Sequence, residues 1–245
     1  MEEAYQIVFW IEIALFICLF AASLIPWKRK KTYLMYFSFL FVFALLSGTS
    51  VWAQPSSDLI RLPAPDTTGG RPLMQVLKER RSIRSFSDRA LSDTTLSNLL
   101  WAGFGVNRPD GRRTAPSARN RQEIDIYLFK QDGVFIYQAA ENALVRLSTQ
   151  DLRKLTGSQD FVATAPLNLL YVADTAKLNG ASFEEAALYI GADSGLIAEN
   201  VYLYCTSEGL GTVVRGMVNR TALIDTLKLP VNLRIVLAQT IGYPQ

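Results

Sequence analysis

Residues 80–86 read Arg80-Arg81-Ser82-Ile83-Arg84-Ser85-Phe86 and place three guanidinium groups and two hydroxyls within six positions. This segment is too polar to belong to a core. Arginine offers a planar fork of donors that fits the oxygens of a phosphate or a carboxylate, and hydroxyl groups can satisfy the remaining acceptors. The pattern predicts a binding site for an anion with several oxygens, although a solvated basic turn explains this segment alone equally well.

Apolar spacing and end signals predict the helices around this segment. A short helix precedes it over residues 73–79, and a second helix begins at an N-cap at Ser92 and ends at the glycines of residues 103–105. Residues 151–155 are predicted to form a further short helix. The longest helix spans residues 183–208 and is apolar on more than one face, so we expect it to be buried, in part at a subunit interface.

The strands are predicted from alternation and from continuous apolar runs. Residues 124–137 alternate around a polar turn and predict a β-hairpin, and residues 143–147 either continue it or begin another edge strand. The continuous apolar run at residues 165–173 predicts a central strand, and the last strand covers residues 233–241. Helices and strands do not alternate regularly, so the predicted class is α+β.

Composition excludes several classes of site. The chain has 245 residues, a net charge of +3 and no histidine, which removes histidine-based triads, most zinc sites and any histidine general base. No metal site is predicted, and no side chain is singled out as a catalytic acid or base. The basic residues do not form a face with interleaved aromatics, so a nucleic-acid partner is not expected. Cys18 and Cys205 lie in different environments, and Cys205 is predicted to be a small buried apolar residue.

The amino-terminal part is predicted to interact with a membrane. Residues 5–27 are apolar and long enough to cross a bilayer, residues 28–31 are basic, and residues 33–46 form a second apolar run. Small residues then precede a plausible cleavage point after Ala53. Two explanations remain open: a signal peptide preceded by a start assigned too early, or a hairpin of two membrane helices with a cytoplasmic basic turn.

Both explanations place residues 54–245 on the outer side of the cytoplasmic membrane of a bacterial cell envelope, either secreted or anchored. Residues 54–72 are rich in Pro, Ser, Asp, Thr and Gly and predict a linker or an extended arm that wraps the domain. The predicted division is therefore a membrane or signal segment at 1–53, this linker at 54–72, and one domain at 73–245.

A loop at residues 114–122 combines small residues with amides. Small residues here would let a flat ligand lie against the backbone, and Asn120 and Gln122 offer donors and acceptors. Alone, this is an ordinary loop.

Several motifs, in order, resemble the FMN-dependent nitroreductase family over residues 73–244. The family's Arg-x-Ser-x-Lys/Arg signature is matched by Arg80, Ser82 and Arg84, which the resemblance assigns to the FMN phosphate and ribityl chain. The family's Pro-Ser-x-x-Asn-x-Gln loop is matched by Pro116, Ser117, Asn120 and Gln122. In relatives this loop reaches the flavin that the neighbouring subunit binds.

The other motifs lie in the long helix, in the segment that follows it and at the carboxyl-terminal end. The family's Asp-x-Gly step is matched by Asp193 and Gly195, its Gly-Leu-Gly-Thr by residues 209–212, and its closing Gly-Tyr-Pro by residues 242–244. The backbone of residues 213–216 would then lie at the flavin ring near N5. The cofactor-binding residues that the resemblance implies are Arg80, Arg81, Ser82, Arg84, Pro116, Ser117, Ala118, Asn120, Gln122, Gly209, Leu210, Gly211, Val214, Arg215 and Gly216.

The resemblance implies a three-layer sandwich with a central, mostly antiparallel sheet flanked by helices, in an intertwined homodimer. Within the family, the sequence is most similar to the short, SagB-like branch. It implies an FMN-dependent oxidoreductase with a ping-pong transfer of electrons or hydride through flavin N5, to or from a small organic or peptidic substrate. The alternative is a flavin-free binding or regulatory module of the cell envelope. NAD(P)H is scarce outside the cytoplasm, so the electron donor is left open.

The chain departs from the family pattern in two places. Gln122 is followed by Glu123 and Ile124, where classical members carry an aromatic residue after a Gln-Pro pair. Many relatives continue past Gly-Tyr-Pro with basic residues that help to hold the phosphate, whereas this sequence stops at Gln245. Arg215 or Arg81 is the cation that could take the place of those residues.

Overall fold

The computed structural model describes residues 59–245, and within them one antiparallel sheet of seven strands organises the fold. In chain order the strands are β1 (Leu59–Arg61), β2 (Ile124–Lys130), β3 (Gly133–Gln138), β4 (Ala143–Ser148), β5 (Leu167–Asp174), β6 (Gly211–Arg215) and β7 (Leu233–Gly242). Across the sheet their order is β1-β4-β3-β2-β5-β7-β6. The predicted hairpin is β2–β3, and β4 continues it.

Within residues 59–245, five α-helices flank this sheet. They are α1 (Leu73–Glu79), α2 (Asp93–Phe104), α3 (Phe161–Thr164), α4 (Phe183–Ser207) and α5 (Arg220–Leu227). Short 3-10 turns cover Ala118–Asn120, Arg153–Thr156 and Thr175–Leu178. The predicted N-cap of α2 is confirmed, because the Ser92 hydroxyl accepts a hydrogen bond from the backbone N–H of Thr95 at 3.1 Å.

Both faces of the sheet are covered, which confirms the α+β, three-layer prediction. Alternate residues of β2 point to opposite faces: Ile126 and Leu128 pack in a core shared with α2 and α4, whereas Tyr127 and Phe129 pack with Leu223 of α5. Burial of these side chains is the main favourable contribution to the stability of the sheet.

The continuous apolar run predicted to be a central strand is β5, and the prediction is confirmed. It pairs with β2 on one side and with β7 on the other. Leu169 and Tyr171 face the core on the α4 side, and Leu170 and Val172 face the opposite core. A strand buried on both faces has no polar face, which is why its sequence does not alternate.

Helix α4 is the longest element and crosses the whole of one core. A capping box begins it: the Ser182 hydroxyl accepts from the backbone N–H of Glu185, and the Glu185 carboxylate accepts from the backbone N–H of Ser182. Cys205 near its other end is fully buried, and this burial raises the pKa of its thiol well above the usual range. The prediction that Cys205 is a small apolar core residue is therefore confirmed.

Residues 59–72 run as an extended arm along the domain. β1 pairs with β4 at the sheet edge, and the Leu62 side chain enters the core. Beyond it, the backbone N–H of Asp66 donates to the Asn98 side chain at 2.9 Å, and that of Arg71 donates to the Ser207 hydroxyl at 2.8 Å. The sequence did not predict β1, because three exposed residues at an edge carry no alternation.

The predicted signal or membrane segments at residues 1–53 lie outside the described residues. Within residues 59–245, no helix has both the length and the apolar character that crossing a membrane requires.

Candidate functional site

The basic segment at residues 80–86 lies against β6 and the carboxyl-terminal end of β7. The backbone N–H of Ile83 donates to the Thr212 carbonyl at 3.0 Å, and Phe86 forms an isolated bridge with Pro244. Ile83 and Phe86 turn inward to pack with Val213. Since the apolar residues of the segment fix its backbone in this way, the hydroxyl and guanidinium groups between them are left on the outside.

The positive charges of this segment are largely unopposed. Arg80 is half-buried, with its Cζ 5.1 Å from the centre of the Tyr202 ring and its Nε 3.8 Å from a carboxylate oxygen of Glu199. Arg81 and Arg84 are exposed, and neither forms an ion pair with any residue of the described region. Three guanidinium groups and one nearby carboxylate therefore leave a net positive patch that an anion would neutralise.

Tyr202 joins the basic segment to β6. Its hydroxyl lies 2.8 Å from the Ser82 hydroxyl and accepts a hydrogen bond from the backbone N–H of Val214 at 2.9 Å. The sequence analysis did not single out this tyrosine, because 120 residues separate it from Ser82 and no local pattern links the two. The contact brings together two of the segments that the sequence assigned to one site.

The glycines between α4 and β6 are explained by the path of the chain. Gly209 has a φ of 70°, in the left-handed region that favours glycine, and ends the helix. A Cβ on Gly211 would lie 2.9 Å from the Ile83 side chain, so glycine is needed there for close packing. Leu210 is buried in the core. Gly216, at the far end of β6, is exposed, and a Cβ there would meet no atom within 4 Å.

The Arg215 guanidinium does not take the place of a basic tail. It is 5% exposed, and it donates to the Thr156 carbonyl at 2.7 Å, to the Thr240 hydroxyl at 3.1 Å and to the Asn168 side chain at 3.1 Å. Burial lowers the pKa of this group to about 10. The side chain holds β6 to its neighbours, which corrects the expectation that it faces an anion.

Helix α4 supports the loop at residues 116–122 through Asp193. The backbone N–H of Ala118 donates to Oδ2 of Asp193 at 3.1 Å, and that of Gln122 donates to the Ser117 hydroxyl at 2.9 Å. Pro116, at the start of the loop, is exposed. Three residues have left-handed backbone angles although none is glycine: Arg119, Asn120 and Gln122. Such strain is costly and is found preferentially at functional sites.

The two amides of this loop bond to each other and to the loop itself. Nε2 of Gln122 donates to Oδ1 of Asn120 at 3.0 Å, and Oε1 of Gln122 accepts from Nε of Arg113 at 2.8 Å. These contacts fix the side chain of Gln122. The two Nδ2 hydrogens of Asn120 take no part in them. The shape of the loop is therefore held by contacts within the chain.

The two groups of predicted site residues contact opposite edges of α4. Asp193 supports the loop and Tyr202 supports the basic segment, and nine positions separate them. Nine residues of α-helix correspond to about 13 Å of rise and about two and a half turns, which points the two side chains in opposite directions. Within the described residues no hydrogen bond or ion pair joins the groups, so one chain presents them as two separate surfaces.

A buried acidic cluster lies beneath the loop and was missed by the sequence analysis. Glu123 is fully buried, and neither of its carboxyl oxygens has a donor partner in the described region. Burial first, and then the neighbouring Asp193, raise the pKa of Glu123. A glutamate at the start of a strand gives no sign in the sequence that its side chain will point inward.

The model of the nitroreductase family matches residues 77–243, which span α1 to the end of β7 and include both groups of site residues.

Two relatives and one solved structure share most of the domain. A protein of Methanocaldococcus jannaschii, provisionally named a nitroreductase, is 30% identical over 182 residues, which cover 70% of this chain and 91% of the relative. The NADPH-flavin oxidoreductase of Vibrio harveyi is 33% identical over 179 residues, 70% of this chain and 65% of that protein. The crystal structure of a provisionally assigned nitroreductase of Ralstonia eutropha is 42% identical, with a TM-score of 0.73 over 76% of this chain and 90% of that one.

Proposed function

The chain belongs to the nitroreductase family of oxidoreductases, and we propose that it uses FMN to transfer electrons or a hydride to or from a small organic or peptidic substrate. The observation that carries this proposal is the open, positively charged surface of Arg80, Ser82 and Arg84 beside β6. A bound FMN would supply the redox centre, with N5 as its reactive atom.

The exposed residues of the basic segment suit a phosphate. Arg81 and Arg84 have no carboxylate partner in the described region, and Ser82 adds a hydroxyl between them. Guanidinium forks and a hydroxyl are the donors that a phosphate monoester binds, and each charge-assisted hydrogen bond is stronger than a neutral one. These residues would hold the phosphate and would orient the cofactor along β6.

The end of β6 suits a flat ring. Gly216 is exposed and has no atom near its Cβ position, so a planar group can approach the backbone closely there. Val214 lies in β6 and is half-buried. The role that we propose for residues 214–216 is to present backbone groups to the ring and to exclude water from one side of it.

An absorbance spectrum tests the cofactor directly. We expect the purified protein, alone or after addition of FMN, to show the bands of an oxidised flavin at near-equimolar occupancy. Arg80→Ala and Arg84→Ala should lose the flavin, and their unfolding temperature should equal that of the flavin-free wild type, because a bound ligand adds stability of its own. Arg61→Ala, an exposed arginine of β1 at the other edge of the sheet, should keep the flavin. A colourless protein that refuses added FMN would support the flavin-free binding module instead.

We also propose that two chains form a homodimer through α4. Leu188 and Leu196 are 68% and 44% exposed, and the glycines between them, Gly191 and Gly195, have no atom near their Cβ positions. Leu188, Gly191 and Gly195 recur every three or four positions and share one face of the helix, and Leu196 lies next to Gly195; small residues on this face permit a second helix to approach. Such a dimer would allow the loop at 116–122 of one chain to reach the basic segment of the other.

The dimer is tested by the mass of the particle in solution. Gly195→Leu fills space that is open within its own chain, so the subunit should fold while the dimer dissociates in light scattering after size exclusion. Thr226→Leu places the same side chain on the exposed face of α5 and should leave the mass unchanged. A Gly195→Leu protein with an unchanged mass would overturn this interface.

The location proposed for the domain is the outer side of the cytoplasmic membrane, and it rests on the sequence of residues 5–53. Protease added to intact spheroplasts should then cleave the domain. The amino-terminal sequence of the protein isolated from cells separates the two explanations: a start at Gln54 supports a cleaved signal peptide, and an intact amino terminus supports a membrane hairpin. Resistance of the domain to protease in intact spheroplasts would contradict the proposed location.

A further inference from the structure

The hydroxyl of Tyr202 stands between two elements of the proposed FMN site. Its ring is 8% exposed and lies under the Arg80 guanidinium, whose Cζ is 5.1 Å from the ring centre. Its oxygen is 2.9 Å from the backbone nitrogen of Val214 and 2.8 Å from the Ser82 oxygen. The tyrosine therefore contacts the basic segment through its ring and its hydroxyl, and contacts β6 through its hydroxyl.

The chemistry of the groups favours one direction for the hydrogen bond between Tyr202 and Ser82. The N–H of Val214 can only donate, so the tyrosine oxygen accepts it. The tyrosine proton then needs an acceptor, and among the described residues Ser82 is the acceptor within hydrogen-bond distance. If Ser82 donated to Tyr202 instead, the proton of a largely buried phenol would have no partner, which is costly.

It follows that the proton of Ser82 points elsewhere. With its oxygen occupied as the acceptor from Tyr202, the Ser82 hydroxyl is free to donate to a ligand, and Ser82 lies in the chain between the exposed Arg81 and Arg84. Donors in a chain polarise one another, so a hydroxyl that already accepts a hydrogen bond is a better donor.

We propose that Tyr202 is a positioning residue. It donates its proton to Ser82, so that the Ser82 hydroxyl donates to the phosphate of FMN, and its contact with Val214 holds this pair against β6. The proposal rests on the proposed function, since it takes the anion to be the cofactor's phosphate. Tyr202 does not touch the phosphate itself; it acts through Ser82, and the hydrogen bond from the N–H of Val214 holds the tyrosine hydroxyl in place.

Two flavins that differ only in the phosphate test this proposal. The full-length wild type, Tyr202→Phe, Ser82→Ala and the double variant are titrated with FMN and with riboflavin, and the loss of flavin fluorescence gives each dissociation constant. Tyr202→Phe should weaken FMN binding about tenfold, the scale of one hydrogen bond to a charged group. Riboflavin has no phosphate, so its affinity should stay within about twofold of the wild-type value, well below that effect.

The double variant identifies the route of the effect. If Tyr202 acts through Ser82, the double variant should bind FMN no more weakly than the weaker single variant, because the two changes remove one coupled interaction. Tyr204→Phe is the matched control: it removes a phenol of the same helix, whose hydroxyl lies 3.4 Å from the Thr95 carbonyl, and it should leave FMN binding unchanged.

The outcomes separate the two proposals. A wild type that binds FMN, together with a Tyr202→Phe variant that binds FMN equally well, overturns the role of Tyr202 and leaves the proposed function intact. Equal losses for FMN and riboflavin overturn it too, since they would mean that Tyr202 only supports the fold of β6. A wild type that binds neither flavin overturns both.

Discussion

The Asp193 carboxylate, in the middle of α4, accepts a hydrogen bond from the backbone N–H of Ala118 at 3.1 Å. This contact fixes the start of a loop in which Arg119, Asn120 and Gln122 have left-handed backbone angles. A non-glycine residue in that region costs free energy, so the loop keeps its shape only because its surroundings hold it. Asp193 is 4% exposed and lies on the buried face of the helix.

Removal of this support should loosen the loop. In Asp193→Ala the N–H of Ala118 loses its acceptor, and we expect trypsin to cleave after Arg119 or Arg121 roughly 10–150 times faster, which corresponds to one hydrogen bond to a charged group. Mass spectrometry of a timed digest measures the rate. Asp225→Ala, an exposed position on α5, should not change it, and equal rates in all three proteins would contradict the support that we assign to Asp193.

Glu123 should make the stability of the fold depend on pH. Burial and the neighbouring Asp193 raise its pKa above the ordinary value of 4.5. The folded protein therefore holds this proton more tightly than the unfolded chain does. The stability that results is fully present below pH 4.5 and is lost as the pH rises through the raised pKa.

Glu123→Gln keeps the shape of the side chain and cannot ionise. Urea unfolding is measured at a series of pH values. The free energy of unfolding of the wild type should decline as the pH rises, and that of the variant should lack this decline. The variant therefore becomes more stable relative to the wild type as the pH rises. Glu141→Gln changes an exposed glutamate and should keep the wild-type profile. A decline of the same size in Glu123→Gln would show that another group causes it.

Gly157→Ala should destabilise the protein through Arg215. Gly157 has an extended backbone with φ of 178°, which alanine adopts freely, but its Cβ would lie 1.9 Å from Nη1 of Arg215. That nitrogen donates to the Thr156 carbonyl, so it cannot move without breaking a buried hydrogen bond. We expect the free energy of unfolding to fall by roughly 2–4 kcal/mol, the sum of overpacking and an unpaired carbonyl.

Denaturant titration monitored by tryptophan fluorescence measures this loss. Ser158→Ala, at the exposed neighbouring position, serves as the control and should differ from the wild type by less than about 0.5 kcal/mol. A Gly157→Ala protein as stable as the wild type would mean that the Arg215 guanidinium is free to move.

Cys205 should be inert toward thiol reagents in the folded protein. It is fully buried, and the raised pKa of its thiol keeps it protonated at neutral pH. In a Cys18→Ser chain, an aromatic disulfide reagent should react only at the rate of unfolding. Val231→Cys in the same background places a thiol at a fully exposed position and should react at once. Rapid reaction of Cys205 without denaturant would contradict the packing of α4.

The hydrophobic pattern was sufficient to predict the elements that form the core. The β2–β3 hairpin, the central strand β5, the last strand β7 and the long helix α4 all lie where their apolar residues indicated. These elements are long or continuously apolar, and burial of their side chains provides most of the free energy of folding. Elements with weak patterns were missed, such as β6, whose five residues follow a glycine-rich helix end.

The sequence by itself determined the α+β class, the family motifs and the accumulation of positive charge at residues 80–84, because these depend on local composition and spacing. Only the tertiary structure decided which of these groups face outward. It buried Arg215 among Thr156, Asn168 and Thr240, and it placed Tyr202 between Ser82 and Val214. Such partners are far apart along the chain and are chosen by the packing of α4 on the sheet, so no local pattern can encode them.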